Sequence, residues 1–211
     1  MTNWQKELEK LDPLVVAPFE LNNELIKELK STCSKAKKDS NKFNNNLAGH
    51  IGEEYQITDL PEKFTNFLSQ IIKHEVFEIY LKRLDLLSHA VPFYLDKLWV
   101  NYQKKYEFNP IHTHSGAFSF VVFLKIPYSL KKEDKYYSKN GTKQDDLATS
   151  RFTFLNPCLN YGVKATQIDV DKSFEGKGFM FPSKQSHMVY PFYTSNEYRI
   201  TVSGNIRLKV K

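Results

Sequence analysis

The chain has 211 residues, a length that favours one domain with a substantial core. Hydrophobic residues make up 41% and aromatic residues 14%, which excludes disorder over most of the length. The formal net charge is +6, but the lysines are scattered and no arginine-rich stripe with interleaved aromatics occurs, so the charge favours a solvated basic surface over a nucleic-acid site.

Compartment and redox state follow from what the sequence lacks. No apolar run approaches the roughly 18–20 residues that span a bilayer, and the first residues have no apolar signal segment. Cys33 and Cys158 lie far apart, which predicts reduced thiols instead of a disulfide framework. We therefore expect a cytoplasmic protein without a membrane partner.

The first half of the chain has the pattern of amphipathic helices. Apolar residues recur at helical spacing over residues 21–29, where an Asn is available as a cap, and again from Pro61 to Tyr80. Residues 33–47 are polar and rich in Asn, which predicts a loop between them. We expect residues 1–90 to be mostly helical.

The second half changes to short apolar or alternating segments bounded by Pro, Gly and Asn. Many short strands without intervening helices are typical of a sandwich or a barrel. The polar run Ser129–Ser150 predicts a long exposed connection, and such loops often act as lids. We expect residues 91–211 to form a mainly β core within a single domain spanning 1–211. Strands are predicted near Leu95–Gln103, Phe118–Ile126, Arg151–Leu155, Ala165–Val170, Gly178–Phe181, His187–Phe192 and Tyr198–Leu208.

Three histidines stand out by their spacing. His112 and His114 are separated by one residue in an extended segment, so both rings point to the same face and can reach one ion. His187 opens a later predicted strand, which a folded sheet can bring against the first two. Three ligands on one side of an octahedral ion leave three positions open, the arrangement that iron needs to bind a bidentate cosubstrate and dioxygen. The remaining histidines are expected to be structural or surface residues: His50, His74 and His89.

The last predicted strand carries an arginine that faces the interior. Alternation places Arg199, Thr201 and Ser203 on one face and the apolar residues between them on the other. A buried arginine is costly without an anionic partner, and a carboxylate supplies that partner through a two-pronged hydrogen bond. Arg199 beside the three histidines therefore predicts a metal site that also holds a dicarboxylate, with Thr201 as an additional hydroxyl donor.

Several segments together resemble a known family, the 2-oxoglutarate- and Fe(II)-dependent oxygenases common in bacteriophages and marine bacteria, within the prolyl-hydroxylase-like superfamily. The resemblance covers about residues 45–206. It is carried by the segments WVNYQKKYEFNPIHTHSGAFS (99–119), GFMFPSKQSH (178–187), YRITVSGN (198–205) and AGHI (48–51).

The resemblance implies a double-stranded β-helix, or jelly roll, with helices packed outside. It also implies that iron is held by three histidines and that Arg199, helped by Thr201, binds the distal carboxylate of 2-oxoglutarate. Tyr102 resembles the tyrosine that contacts the cosubstrate, and Asn101 competes for that role because neighbours on a strand face opposite sides. If the gene is carried by a phage, the protein would act in the host cytoplasm. The implied metal ligands are His112, His114 and His187.

One position departs from the superfamily pattern. The second ligand is usually a carboxylate, and His114 stands there. With three neutral imidazoles the protein supplies no negative charge, so dianionic 2-oxoglutarate would neutralise the iron and iron affinity without it should be lower. Glu107 is the nearby carboxylate that could substitute, although its spacing does not match the motif.

The sequence thus favours an Fe(II)- and 2-oxoglutarate-dependent oxygenase, a hydroxylase acting with dioxygen on a small molecule or a protein side chain. The first alternative is a cupin-like metalloenzyme without 2-oxoglutarate, against which Arg199 argues. The second is a non-enzymatic jelly-roll module, a binding or virion protein with incidental histidines. Neither the substrate nor the oligomeric state follows from the sequence.

Overall fold

The computed structural model describes residues 15–73, 92–139, 149–158 and 162–209. Within these ranges no helix combines the length and the apolarity that crossing a bilayer requires. The α-helices are α1 (Asn23–Lys38), α2 (Glu62–Ile71) and α3 (Leu130–Lys139). The strands are β1 (Ala17–Glu20), β2 (Glu54–Gln56), β3 (Phe93–Gln103), β4 (Asn109–His112), β5 (Phe118–Lys125), β6 (Phe152–Cys158), β7 (Gly162–Ile168), β8 (Lys177–Pro182), β9 (His187–Val189) and β10 (Arg199–Leu208).

The strands form two antiparallel sheets. The large sheet has the order β1-β8-β5-β10-β3-β2, and the small sheet has the order β4-β9-β6-β7. Strands of both sheets contribute to one aromatic core, so the sheets face each other. Its phenylalanines on strands of the two sheets are Phe123, Phe179 and Phe181 from the large sheet and Phe152 and Phe154 from the small sheet. This is the jelly roll that the family resemblance implies.

The two faces of the large sheet have different partners because side chains alternate along each strand. Phe118, Phe120 and Val122 of β5 belong to the cluster that contains buried residues of α1 and α2. Val121 and Phe123 of the same strand belong to the core between the sheets. The helices therefore cover the outer face, and the inner face is left to build a site.

Helix α1 is longer than predicted. Asn22 caps it by accepting a hydrogen bond from the Leu25 backbone N–H (2.9 Å). Cys33 and Ala36 are buried and continue its apolar face, so residues 33–38, predicted as loop, are helical. Helix α2 begins after Pro61 as predicted; the predicted continuation to Tyr80 reaches beyond the described residues.

The N-terminal part of the chain is not only helical. Strand β1 pairs with β8 and β2 pairs with β3, so both edge strands of the large sheet come from this part. These short strands and β4 have no alternating pattern long enough to reveal them. The seven predicted strands are present, although β9 ends at Val189 and not at Phe192.

The segment predicted as an exposed connection, Ser129–Ser150, is ordered where the structure describes it. Residues Leu130–Lys139 form α3, and Glu133 on this helix is fully buried. Its carboxylate accepts hydrogen bonds from the backbone N–H groups of Tyr193 and Thr194 (both 2.8 Å). The described part of the segment is therefore docked, and residues 140–148 lie outside the described ranges.

Candidate metal centre

The small sheet brings the three predicted ligands together. His112 ends β4 and His187 begins β9, and the two are partners across the antiparallel pair. His114 lies just beyond β4, where its backbone N–H donates to the Ser183 carbonyl (2.8 Å). One ligand atom from each of the three histidines lies within 4.8 Å of the others. The local i, i+2 pair and the distant strand thus converge on one point.

Backbone carbonyls fix the orientation and the tautomer of two of the rings. Nδ1 of His112 lies 2.7 Å from the Pro110 carbonyl, and Nδ1 of His187 lies 2.9 Å from the Gln185 carbonyl. A carbonyl only accepts, so each Nδ1 carries the proton and each Nε2 keeps a free lone pair, as a metal ligand requires.

The spacing of the nitrogens fits one ion. Nε2 of His114 lies 3.2 Å from Nε2 of His187. Two imidazole nitrogens at about 2.0–2.1 Å from one ion, and at about a right angle, would lie about 3 Å apart. The donor set also suits iron, because imidazole is a common ligand of iron, zinc and copper.

Burial keeps the imidazoles neutral. It lowers the pKa of His112, and it lowers the pKa of His114 to about 3 with a further contribution from His112. Burial lowers the pKa of His187 well below its ordinary value, and the two other rings add to the effect. Phe152 stacks on the His187 ring with centroids 5.2 Å apart. An unprotonated imidazole is the form that binds a metal, so the buried surroundings favour the metal-binding form of all three rings.

Opposite the histidines, Arg199 is buried without an acid. Its side chain is 1% exposed, and within the described ranges no carboxylate lies at ion-pair distance. Neutral groups accept its hydrogen bonds: Gln103 Oε1 (3.1 Å from Nε and 2.6 Å from Nη2), Tyr128 Oη (2.8 Å), Ser150 O (3.0 Å) and Tyr190 O (3.1 Å). The hydrogen bonds are satisfied but the charge is not neutralised, which leaves a place for an anion.

A cavity of about 220 Å³ connects the arginine with the histidines. Strand register explains its polar wall, because Arg199 is the cross-strand partner of Gln103, and Thr201 is the partner of Asn101. Asn101 Nδ2 donates to Thr201 Oγ1 (3.2 Å), and the buried Asn101 Oδ1 has no protein partner within the described chain. The predicted inward face of β10 is therefore the cavity wall.

Tyr102 is not brought to this cavity. Its ring lies on the helix side of β3 and packs edge-on against Tyr55 (6.0 Å between centroids) and Tyr198 (5.7 Å). Asn101 lines the cavity instead. The position of Tyr102 corrects the expectation drawn from the resemblance, and strand alternation is the reason.

The other candidates lie apart from the three histidines. Glu107 accepts hydrogen bonds from the backbone N–H groups of Gly52 (2.9 Å) and Lys104 (2.7 Å) and does not replace His114. His50 is exposed and stacks on Phe108 with centroids 4.7 Å apart. The two remaining histidines, at positions 74 and 89, lie outside the described residues.

Three residues that sequence reasoning did not single out belong to the site. Gln103 is two residues after Asn101 on β3, so alternation alone could have found it. Tyr128 follows β5 and is buried behind Arg199, and Glu54 comes from edge strand β2 and lines the cavity. No local pattern distinguishes the last two, because only the fold places them there.

Comparison with known proteins decides the family. A family model described as "Putative 2OG-Fe(II) oxygenase" matches residues 97–205, more than half of the chain. The chain belongs to this family. It is therefore an enzyme, a dioxygenase that uses Fe(II) and 2-oxoglutarate, as predicted from the sequence. No curated protein sequence matches the chain.

Solved structures show the same fold at low sequence identity. A prolyl-4-hydroxylase from Pseudomonas putida has a TM-score of 0.58 and 11% identity, over 98% of this chain and 100% of that one. A prolyl hydroxylase from Trichoplax adhaerens, in complex with a peptide fragment of the hypoxia inducible factor oxygen degradation domain, has a TM-score of 0.53 and 12% identity, over 99% and 93%. A viral collagen prolyl hydroxylase from Paramecium bursaria Chlorella virus-1, in complex with 2-oxoglutarate, has a TM-score of 0.50 and 13% identity, over 93% and 98%.

Proposed function

We propose that His112, His114 and His187 hold the Fe(II) through their Nε2 atoms. We further propose that Arg199, with Thr201, receives the distal carboxylate of 2-oxoglutarate. The observation that supports this most is the pairing of two features across one cavity. One is a cluster of three neutral imidazoles, and the other is a buried guanidinium without a carboxylate partner in the described chain.

All three histidines that would hold the ion come from the small sheet or the turn beside it. Arg199 and Asn101 line the same cavity from the large sheet. When bound, iron and 2-oxoglutarate together activate dioxygen and couple decarboxylation of the cosubstrate to oxidation of the substrate. The chain itself contributes ligand geometry, an apolar surround and a fixed cation.

Tyr128 positions the guanidinium, and Gln103 occupies the edge of the guanidinium that the cosubstrate would take. Gln103 Oε1 accepts from both Nε and Nη2 of Arg199, which is the edge that a carboxylate would take in a two-pronged pair. We infer that the cosubstrate carboxylate displaces this amide oxygen. Tyr128 Oη and Ser150 O stay on Nη1 and hold the plane of the guanidinium.

We infer that Asn101 contacts the cosubstrate, the role first expected of Tyr102. Its Oδ1 is buried in the cavity wall and its Nδ2 is bound to Thr201, so it lies beside the pair of residues assigned to 2-oxoglutarate. The hydroxyl of Tyr102 lies across the strand, on the side of the helices.

An anaerobic titration tests the assignments. Apoprotein is titrated with Fe(II) and then with 2-oxoglutarate, and the visible metal-to-ligand charge-transfer band is followed. We expect the band in the unaltered protein and in His50→Ala, a control that removes an exposed histidine outside the cavity. His187→Ala should lose the band. A full band in His187→Ala would contradict the proposed ligand set.

A further inference from the structure

The carboxylate of Glu54 lines the same cavity and is not among the groups assigned to iron or to 2-oxoglutarate. Glu54 is 1% exposed and lines the cavity two strands away from Thr201, in the row Glu54–Asn101–Thr201 across β2, β3 and β10. Within the described part of the chain its side chain has a single, long hydrogen bond, which Oε2 accepts from Asn44 Nδ2 (3.3 Å). Among the described residues no cationic side chain lies at ion-pair distance from it.

The lysine whose charge acts on Glu54, Lys42, has other partners. Lys42 donates to the Gly52 carbonyl (3.1 Å) and lies over the Tyr55 ring (4.9 Å from its centroid). Burial raises the pKa of Glu54 to about 7, and the negative charge of Glu107 adds to the rise while Lys42 opposes it. A buried carboxylate with so few partners gains from any cation that reaches it.

A second acceptor converges with this carboxylate. Asn109 Oδ1 is buried and has no protein partner in the described chain. A Cβ built on Gly49 would lie 2.4 Å from this oxygen and 3.0 Å from Glu54 Oε1, so both oxygens approach one point above Gly49. Any other residue at position 49 would fill the space between them. Leu47 and Ala48 beside it supply apolar lining.

We propose that Glu54 and Asn109 form the recognition subsite for a substrate that carries an ammonium or guanidinium group on an aliphatic arm. The assignment rests on the proposed function, because the subsite shares its cavity with the proposed iron and 2-oxoglutarate positions. Two converging acceptors need at least two donated hydrogen bonds, which an ammonium or a guanidinium supplies and a single hydroxyl does not. The positive charge also neutralises the carboxylate, and the arm fits the apolar lining.

A subsite of this kind disfavours a proline side chain as the substrate. Within a peptide, proline has neither a charge nor an N–H to donate. The similarity to solved prolyl hydroxylases, at 11–13% identity, is one of fold. It does not extend to the identity of the residues on this wall of the cavity.

Calorimetric titration of the anaerobic protein loaded with Fe(II) and 2-oxoglutarate tests the subsite. The probes are the N-acetyl methylamides of lysine, arginine and norleucine, which share an aliphatic arm and differ in charge, together with free lysine and arginine. A cationic probe should bind about 10- to 100-fold more tightly than the norleucine probe, as for a hydrogen bond to a charged group. Tighter binding of the blocked forms would indicate a side chain within a polypeptide, and tighter binding of the free forms a small molecule.

Glu54→Gln should abolish this preference while keeping the charge-transfer band with 2-oxoglutarate. Glu107→Gln, which removes the same charge outside the cavity, should keep the preference. Equal binding of charged and neutral probes, or an unchanged preference in Glu54→Gln, overturns the inference. If Glu54→Gln fails to fold, Asn109→Ala decides, since it should weaken the cationic probe and leave the norleucine probe unchanged. Loss of the band in the unaltered protein would instead overturn the proposed function.

Discussion

Replacing Arg199 by alanine should weaken 2-oxoglutarate binding by about a hundredfold or more. The guanidinium is 1% exposed, and a bound carboxylate would be its anionic partner in the cavity. Removing one member of a buried charge pair costs about 3–5 kcal/mol, because the other charge stays desolvated, and each 1.4 kcal/mol is tenfold in affinity. Iron binding should change little, because Arg199 belongs to the opposite sheet from the proposed ligands.

The assay is anaerobic calorimetry of 2-oxoglutarate binding to the Fe(II) protein. Arg151→Ala is the matched control, because Arg151 is also buried but pairs with Asp134 (2.7 Å) and Asp169 (2.7 Å) and does not line the cavity. That variant should lower the melting temperature and keep the affinity. Arg199→Lys should recover only part of the affinity, because an ammonium lacks the planar fork. If Arg199→Ala binds 2-oxoglutarate as tightly as the unaltered protein, the cosubstrate assignment fails.

Three further predictions concern the metal, the subsite and the fold. His114→Asp should fold and raise the affinity for Fe(II) in the absence of 2-oxoglutarate, because it adds the negative charge that the three imidazoles lack; loss of the folded state would mean that His114 is a packing residue. Since burial raises the pKa of Glu54 to about 7, the folded state holds this proton more tightly than the unfolded state, and stability falls as the pH rises from about 4.5 through 7. Glu54→Gln cannot ionise, so chemical denaturation should show it to be more stable than the unaltered protein at pH 8, by up to about 3 kcal/mol, with the difference vanishing below about pH 4; a constant difference across this range would contradict the buried carboxylate. Residues 91–211 expressed alone should not fold or bind 2-oxoglutarate, because β1 and β2 form both edges of the large sheet; a folded fragment in circular dichroism would contradict a single domain over 1–211.

Local patterns in the sequence singled out five residues that the structure brings to one cavity: His112, His114, His187, Arg199 and Thr201. The i, i+2 spacing of His112 and His114 and the alternation around Arg199 depend only on the geometry of an extended strand. The structure keeps both patterns, because His112 and His114 line one cavity with Arg199 and Thr201. The family, the jelly roll and the two cofactors were predicted on the same segments and are confirmed.

Features that depend on strand pairing could not be predicted. The choice between Asn101 and Tyr102 needed the register of β3 against β10, which decides the face that each side chain takes. Glu54 enters the cavity only because β2 pairs with β3, through contacts between residues far apart in sequence. Helix α3 was not predicted because its sequence is almost entirely polar. Its buried residue, Glu133, is held by hydrogen bonds from the backbone N–H groups of Tyr193 and Thr194, which lie after β9.

The proposed ligands of the iron are three imidazoles. X-ray absorption on the anaerobic Fe(II) protein with 2-oxoglutarate tests this assignment most directly, because imidazole rings give a characteristic multiple-scattering signal. We expect three imidazole nitrogens at about 2.0–2.2 Å, and two in each single His→Ala variant at position 112, 114 or 187 that still binds iron. Two imidazoles in the unaltered protein, or a spectrum unchanged by His114→Ala, would contradict the account.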